Sequence, residues 1–386
     1  MSTSHVSNSR NSTLIIDGSG DRWIVDAGVR ISDPDAAIHL ENTASNNRVD
    51  IRGLLKCDED TLFDEGTGTT ITIAGSGRLV GDDGIFSLHG ARITNAGLID
   101  MLGNGVSFYD QGTLINSGTI KSGDNTISLA DGTIDNRTGG TIRSGDTAIS
   151  SLSLSADVIH ITNDGLIVGK QAAINGLIGR EIVVNRGAIH GKIELGDGND
   201  SVDTRLGTVD HDIAGGKGND TLWTSNGTVR LLESFGEGSD TVRSTVSYTL
   251  NAEVETLVLL GDGNTTAKGN AGINTLTGNQ GDNRLLGLGN NDWLDGKGGD
   301  DRLTGGLGDQ DIFIFSTGYD HDTITDFEDG TDRIDLQELS AIADYADLLA
   351  NHTSDTDAGL LIFAGKDRLI VTGMTESKLD SAEVYI

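Results

Sequence analysis

The stretch LTGNQGDNRLLGLGNNDWLDGKGGDDRLTGG, Leu276 to Gly306, repeats every nine residues. Gly278, Gly287, Gly296 and Gly305 form one column; Asn283, Asp292 and Asp301 form a second; Leu285, Leu294 and Leu303 form a third. Gly269, Asn274 and Leu276 extend the phase backwards, and Gln310 and Ile312 extend it forwards, so five nonapeptides share one register. Three columns in phase mark a structural repeat. The first six residues of each unit make a turn that only glycine follows freely, because it needs positive φ. The last three form a short strand whose large apolar residue enters a core. Two units complete a coil, which stacks turns 18 residues apart at a strand spacing of about 4.8 Å. Backbone carbonyls and the repeated carboxylate then line one edge. A cage of oxygens alone, roughly six-coordinate, suits Ca²⁺.

Composition agrees with turn-rich β structure. The chain has 386 residues, 55 of them glycine, with a single proline, Pro34. Disordered glycine-rich chains usually carry many prolines. The 59 acidic residues against 27 Lys and Arg give a net charge of −32. Such a surface repels nucleic acid and anionic membrane and attracts cations. The single cysteine, Cys57, excludes an intramolecular disulfide framework. The first residues lack an apolar run of signal-peptide length, the longest being Leu14 to Ile16, and no stretch reaches the length of a membrane helix. These features predict a soluble protein, exported, if at all, by a route that ignores the N-terminus.

The N-terminal half repeats with a longer period. NAGLI (Asn95–Ile99), NSGTI (Asn116–Ile120), GGTI (Gly139–Ile142), NDGLI (Asn163–Ile167) and NRGAI (Asn185–Ile189) align on Gly97, Gly118, Gly140, Gly165 and Gly187. Short alternating apolar pieces between Gly, Asn and Asp corners read as strands, and a 20–25-residue repeat of such strands reads as coils of a parallel β-helix. Inward Ile and Leu would stack, and corner asparagines would bond their equivalents in the next coil. Residues 1–60 are less regular and read as first coils or a cap.

Between these blocks, LGDGNDSVD (Leu195–Asp203), GGKGNDTLW (Gly215–Trp223) and FGEGSDTVR (Phe235–Arg243) align without gaps. Asp200, Asp220 and Asp240 are 20 residues apart, so one coil of that length places them on one edge. After the nonapeptides come DTITDFEDGTDRIDL (Asp322–Leu336), a helical stretch over Ser340–Ala350, and strands within LLIFAG and RLIVTG.

The GGxGxDxUx pattern, where U is a large apolar residue, resembles the RTX or haemolysin-type calcium-binding family. EGSDTVRSTVSYTLNAEVETLVLLG and DTITDFEDGTDRIDL are similar to the C-terminal region of serralysin-like proteins. The resemblance is strong over about 191–340. It implies several bound Ca²⁺ ions, export by type I secretion machinery and an extracellular or cell-surface location. The final EVYI (Glu383–Ile386) looks like the end of an uncleaved C-terminal export signal. The predicted metal ligands are Asp200, Asp220, Asp240, Asp292 and Asp301. Carbonyls of Gly196, Gly198, Gly215, Gly216, Gly218, Gly236 and Gly238 are expected to complete the first group. Only GGKGNDTLW fits the pattern throughout. Asn274 and Asn283 replace aspartate, which predicts turns held by hydrogen bonds without metal. Gln310 stands at an aspartate position, flanked by Asp309 and Asp311, and Asn290 replaces a glycine.

No catalytic residue is assigned. HExxH and GxSxG motifs are absent and the eight histidines are scattered, which argues against a protease or lipase. A polysaccharide lyase or epimerase is the enzymatic alternative. Coil alignment would gather Asp82 or Asp83, Asn104, Asp124 and Asp146 at one corner, followed by Lys170 and Lys192. Asp is also simply a good turn former there, and no aromatic platform is evident near that corner.

The expected fold is all-β. A right-handed parallel β-helix over residues 1–190 would continue into an RTX calcium β-roll over 191–316. A small C-terminal cap over 317–386, with one helix, would double as secretion signal. The expected role is a calcium-dependent structural, adhesive or self-assembling scaffold, with calcium, its own copies or surface and matrix polysaccharide as partners. Neither nucleic-acid binding nor membrane insertion is expected.

Overall fold

The computed structural model describes residues 2–152, 154–306 and 310–386. The chain divides into two compact units, Met1–Gly218 and Asn219–Ile386. Both are parallel β-solenoids, and they differ in how many strands each coil carries.

In the first unit three columns of stacked aliphatic side chains run from coil to coil. One joins Val49, Ile71, Ile93, Leu114, Ile134, Ile161 and Val183. A second joins Ile31, Leu55, Leu79, Ile99, Ile120, Ile142, Ile167 and Ile189. The third joins Leu14, Ile38, Leu62, Ile85, Val106, Ile127, Ile149, Ile174, Ile193 and Ile213. All of these side chains are buried. Three columns mean three sides per coil, and β-branched residues dominate because they fit a pleated surface. Residues 1–60 form true coils, with Thr3 opposite Arg22 and Arg22 opposite Arg48.

Corners follow the expected pattern. Gly97, Gly118, Gly140 and Gly165 each accept, at the carbonyl, an amide from the next coil. A Cβ on Gly118 would lie 2.2 Å from the Gly97 oxygen, which explains the glycine column. The asparagines form a buried ladder: Asn95 donates to Asn116, Asn116 to Asn136, Asn136 to Asn163 and Asn163 to Asn185, all at 2.7–2.9 Å.

The second unit has two columns. Leu222, Val242, Leu257, Leu276, Leu294, Phe313, Ile334 and Val384 make one. Tyr248, Ala267, Leu285, Leu303, Ile324 and Val371 make the other. Two sides per coil match the 18-residue spacing of Leu276 to Leu294 and Leu285 to Leu303.

Two expectations need correction. The register does not extend to Ile312, because Leu294 pairs with Phe313. The turn from Gly305 to Asp311 holds one residue more than that from Gly287 to Asp292, so the following strand shifts by one. The helix is Tyr345–Asn351, not Ser340–Ala350. Asp344 is extended and caps it by accepting from the Asp347 amide, while the Ile342 amide donates to the Leu339 carbonyl and closes a turn over Ser340 and Ala341. Glu383 is buried and bonded to Gly330 and Asp380, and Val384–Tyr385 adds a strand beside Arg333–Asp335. The EVYI segment is therefore part of the folded solenoid. Among the described residues no helix is long and apolar enough to cross a membrane.

Candidate metal centre

Each repeat aspartate ends a glycine turn, directly before its strand. Its side chain folds back over its own turn, and this is what the first glycine of each nonapeptide permits. A Cβ at Gly287 would lie 2.1 Å from Asp292 Oδ2, and one at Gly296 would lie 2.3 Å from Asp301 Oδ2. The other oxygen binds the neighbouring coil. Asp292 Oδ1 accepts from the Asn274 amide at 2.8 Å and Asp301 Oδ1 from the Asn283 amide at 2.6 Å. The series continues where the sequence pattern fades. Asp301 donates its amide to Asp322, Asp292 to Asp311, and Asp311 to Asp332. Asp311, not Gln310, takes the repeat position, as a result of the one-residue shift; Asp309 lies outside the described residues. Asp311, Asp322 and Asp332 are buried column members that the nonapeptide count missed. Their signal was a carboxylate two residues before a large apolar residue, in DIF, DTI and DRI.

The unused oxygens distinguish two kinds of turn. Asp240 Oδ2, Asp301 Oδ2 and Asp322 Oδ2 are buried and have no hydrogen-bond partner among the described residues. Burial above all pushes the Asp240 carboxyl up to about 6, with Glu255 and Glu237 adding to it against the hydrogen bond from Asp220. Burial likewise takes Asp301 to about 7 and Asp322 to about 8 against the amides that bond them. Asp282, Asp295 and Asp300 add repulsion at Asp301, and Asp301, Asp300 and Asp295 add it at Asp322. A buried anion of this kind calls for a proton or a cation. The asparagine turns need neither. Asn274 Nδ2 donates to the Val254 carbonyl at 3.1 Å while its oxygen accepts the Asn270 amide at 2.7 Å. Asn270 and Asn279 each donate to two carbonyls of the preceding coil. The hydrogen bonds expected at Asn274 and Asn283 are thus present.

Asp220 and Asp240 stand in neighbouring coils, with Thr221 opposite Thr241 and the Asp220 amide bonded to Asp240 at 2.7 Å. Glu233, outside every repeat, brings a carboxylate oxygen to the same place; one oxygen from each of the three lies within 4.8 Å of the others. Asp200, in the first unit, is buried beside Glu181, whose amide bonds it at 2.8 Å. Burial raises the Asp200 carboxyl, opposed by hydrogen bonds from Glu181 and by the charge of Arg180. Neither Glu181 nor Glu233 carries a periodic signal. Among the predicted glycines, Gly196 and Gly198 direct their carbonyls at the next coil, where a Cβ on Gly216 would lie 2.1 Å and one on Gly218 1.4 Å away. Gly215 is buried, and Gly236 and Gly238 lie in an exposed turn. The donors are oxygens without nitrogen or sulfur, and the buried oxygens of Asp240, Asp301 and Asp322 fit a hard divalent cation.

The acidic corner of the first unit also forms. Asp83 Oδ1 accepts the Asn104 amide, Asp124 donates its amide to Gly103, and Ser144, two residues before Asp146, bonds the Asp124 carbonyl. Lys192 does not follow Lys170, because a register irregularity sets it opposite Ala172. An aromatic row absent from the sequence reading runs alongside. His39, Phe63, Phe86 and Tyr109 have successive ring centroids 5.2, 5.3 and 4.7 Å apart, and Phe63 and Phe86 share strands with Asp60 and Asp83.

A two-sided solenoid with glycine turns and an aspartate edge resembles a β-roll. Residues 195–369 match the family described as peptidase M10 serralysin C terminal, so this region is similar to the C-terminal part of serralysins. No curated protein matches the chain. Among solved structures, the extracellular lipase LipA from Serratia marcescens is similar at 16% identity and a TM-score of 0.28. The similarity covers 61% of this chain and 45% of the lipase.

Proposed function

We propose that the protein is a secreted, calcium-binding β-solenoid scaffold that folds when it meets Ca²⁺ and serves a structural, adhesive or self-assembling role at a cell surface or in a matrix. The observation that carries this reading is the contrast between asparagine turns with satisfied amides and aspartate turns with a buried, unpartnered oxygen at Asp240, Asp301 and Asp322. Without cations these carboxylates repel, and glycine-rich turns lose entropy without compensation. Affinity on the order of 10⁻⁴–10⁻³ M, typical of extracellular modules, keeps the chain unfolded inside the cell and folds it outside. The likeness of residues 195–369 to serralysin C-terminal regions supports type I secretion. Because Glu383 is buried in the fold, an export signal ending in Glu383–Ile386 is read before folding. Circular dichroism with Ca²⁺ and with excess chelator tests the reading; an unchanged β signal in chelator overturns it.

A second reading, a polysaccharide lyase or epimerase, draws on the acidic corner and the adjoining aromatic row of the first unit. Phe63 and Phe86 stack, Tyr109 is tilted against Phe86 and His39 meets Phe63 edge-to-face, so these contacts already occupy much of the ring surface that a sugar would need. Incubation with acidic polysaccharides decides between them: chain cleavage or epimerisation supports the enzyme, and unchanged polymer supports the scaffold.

A further inference from the structure

We infer that Glu233 is a ligand of a three-carboxylate cation site with Asp220 and Asp240, distinct in composition from the carbonyl-and-aspartate cages of the nonapeptide turns. The inference rests on the calcium-binding reading and assigns one site within it.

Glu233 lies two residues beyond Leu231 in the loop that leads to Asp240. Leu231 is buried, its amide faces the Tyr248 hydroxyl at 3.4 Å, and that hydroxyl donates to the Val229 carbonyl at 2.9 Å. Alternation then turns Leu232 outwards and Glu233 inwards. The next residues close back on themselves: the Ser234 amide bonds Glu237 Oε2 at 2.7 Å and the Glu237 amide bonds the Ser234 carbonyl at 3.2 Å. Glu233, half-buried, thus brings a carboxylate to the inner side at the strand end.

The place of a cation is marked by Asp240. Its side chain is 1% exposed, Oδ1 is taken by the Asp220 amide, and Oδ2 is buried with no hydrogen-bond partner among the described residues. One oxygen each from Asp220, Glu233 and Asp240 falls within 4.8 Å of the others, a spacing at which three carboxylates are not all ionised without a cation. Oxygen-only ligands with three formal negative charges select a hard cation that accepts flexible coordination, Ca²⁺ over Mg²⁺, and affinity rises with ligand charge. This site is therefore the tightest of the chain and fills first.

The test is calcium titration of the full chain against a chromophoric chelator, with Glu233→Gln and, as a charge control elsewhere, Glu376→Gln. Circular dichroism at saturating Ca²⁺ verifies that each variant folds. The expected result is that Glu233→Gln weakens the tightest class of sites roughly tenfold or more while the weaker classes and the Glu376→Gln titration stay as in the parent chain. Mg²⁺ should compete poorly at that site. Identical titrations for Glu233→Gln and the parent chain overturn the inference while leaving calcium binding intact. A parent chain that takes up no Ca²⁺ overturns both.

Discussion

Asn274 and Asp292 occupy equivalent places in successive coils yet present opposite chemistry. The asparagine brings hydrogens that carbonyls can use, whereas the aspartate brings a second, negatively charged oxygen in their place. Asp220→Ala is therefore expected to raise the calcium midpoint of folding by roughly tenfold through loss of a charged ligand. Asn274→Ala should lower stability while shifting that midpoint little; equal midpoints in parallel calcium titrations would refute the distinction. Glycine identity is as strict. A Cβ at Gly278 would lie 2.2 Å from the Gly296 carbonyl oxygen, in backbone that cannot swing aside. Gly278→Ala should cost about 1–3 kcal/mol by overpacking, measured by denaturant unfolding in saturating Ca²⁺.

Ladders and columns are the units of stability among the elements. Asn116 accepts from Asn95 and donates to Asn136, fully buried. Asn116→Ala strands both neighbours and is expected to destabilise by about 1–3 kcal/mol in urea unfolding. Asp60 sits at the strand start opposite Asp83. Burial first, then Asp83 and Glu59, raise its carboxyl to about 6 from the ordinary 3.8. The folded state thus holds a proton that the unfolded chain has released. That contribution to stability is present below about pH 4, declines as pH rises towards about 6, and is absent above. Asp60→Asn should flatten this part of the profile; parallel urea midpoints for variant and parent between pH 4 and 7 would refute it. Coil period and the asparagine ladder were readable in the sequence because each depends on one residue type at a fixed chain separation. The helix start was not, since Asp344 as a cap outcompeted the longer apolar pattern from Ser340. The aromatic row recurs at 23–24 residues, from His39 to Tyr109, and only the coil alignment reveals it.

For the molecule as a whole, the two units pose one thermodynamic problem, burying acidic edges beside aliphatic columns. Removal of Ca²⁺ should unfold the second unit, and Ca²⁺ more than Mg²⁺ should promote ordered assembly by bridging acidic surfaces. Light scattering with each ion and then electron microscopy checks this; a monomer at high concentration in millimolar Ca²⁺ contradicts it. Deleting the chain from Glu383 should impair stability as well as export, because it removes the Gly330 and Asp380 hydrogen bonds and the strand beside Arg333–Asp335. Calcium-dependent melting of the truncated chain is the measurement. The sequence by itself determined the coil lengths, the glycine and asparagine corners and the oxygen-rich edge. Each follows from residues at set separations, which local turn geometry converts directly into stacking. Only the tertiary structure decided which carboxylates meet. One added residue between Gly305 and Asp311 moves a whole strand by one place, and a loop of no period carries Glu233 to Asp220 and Asp240. Such meetings depend on where the backbone returns in space, which no column of the sequence records.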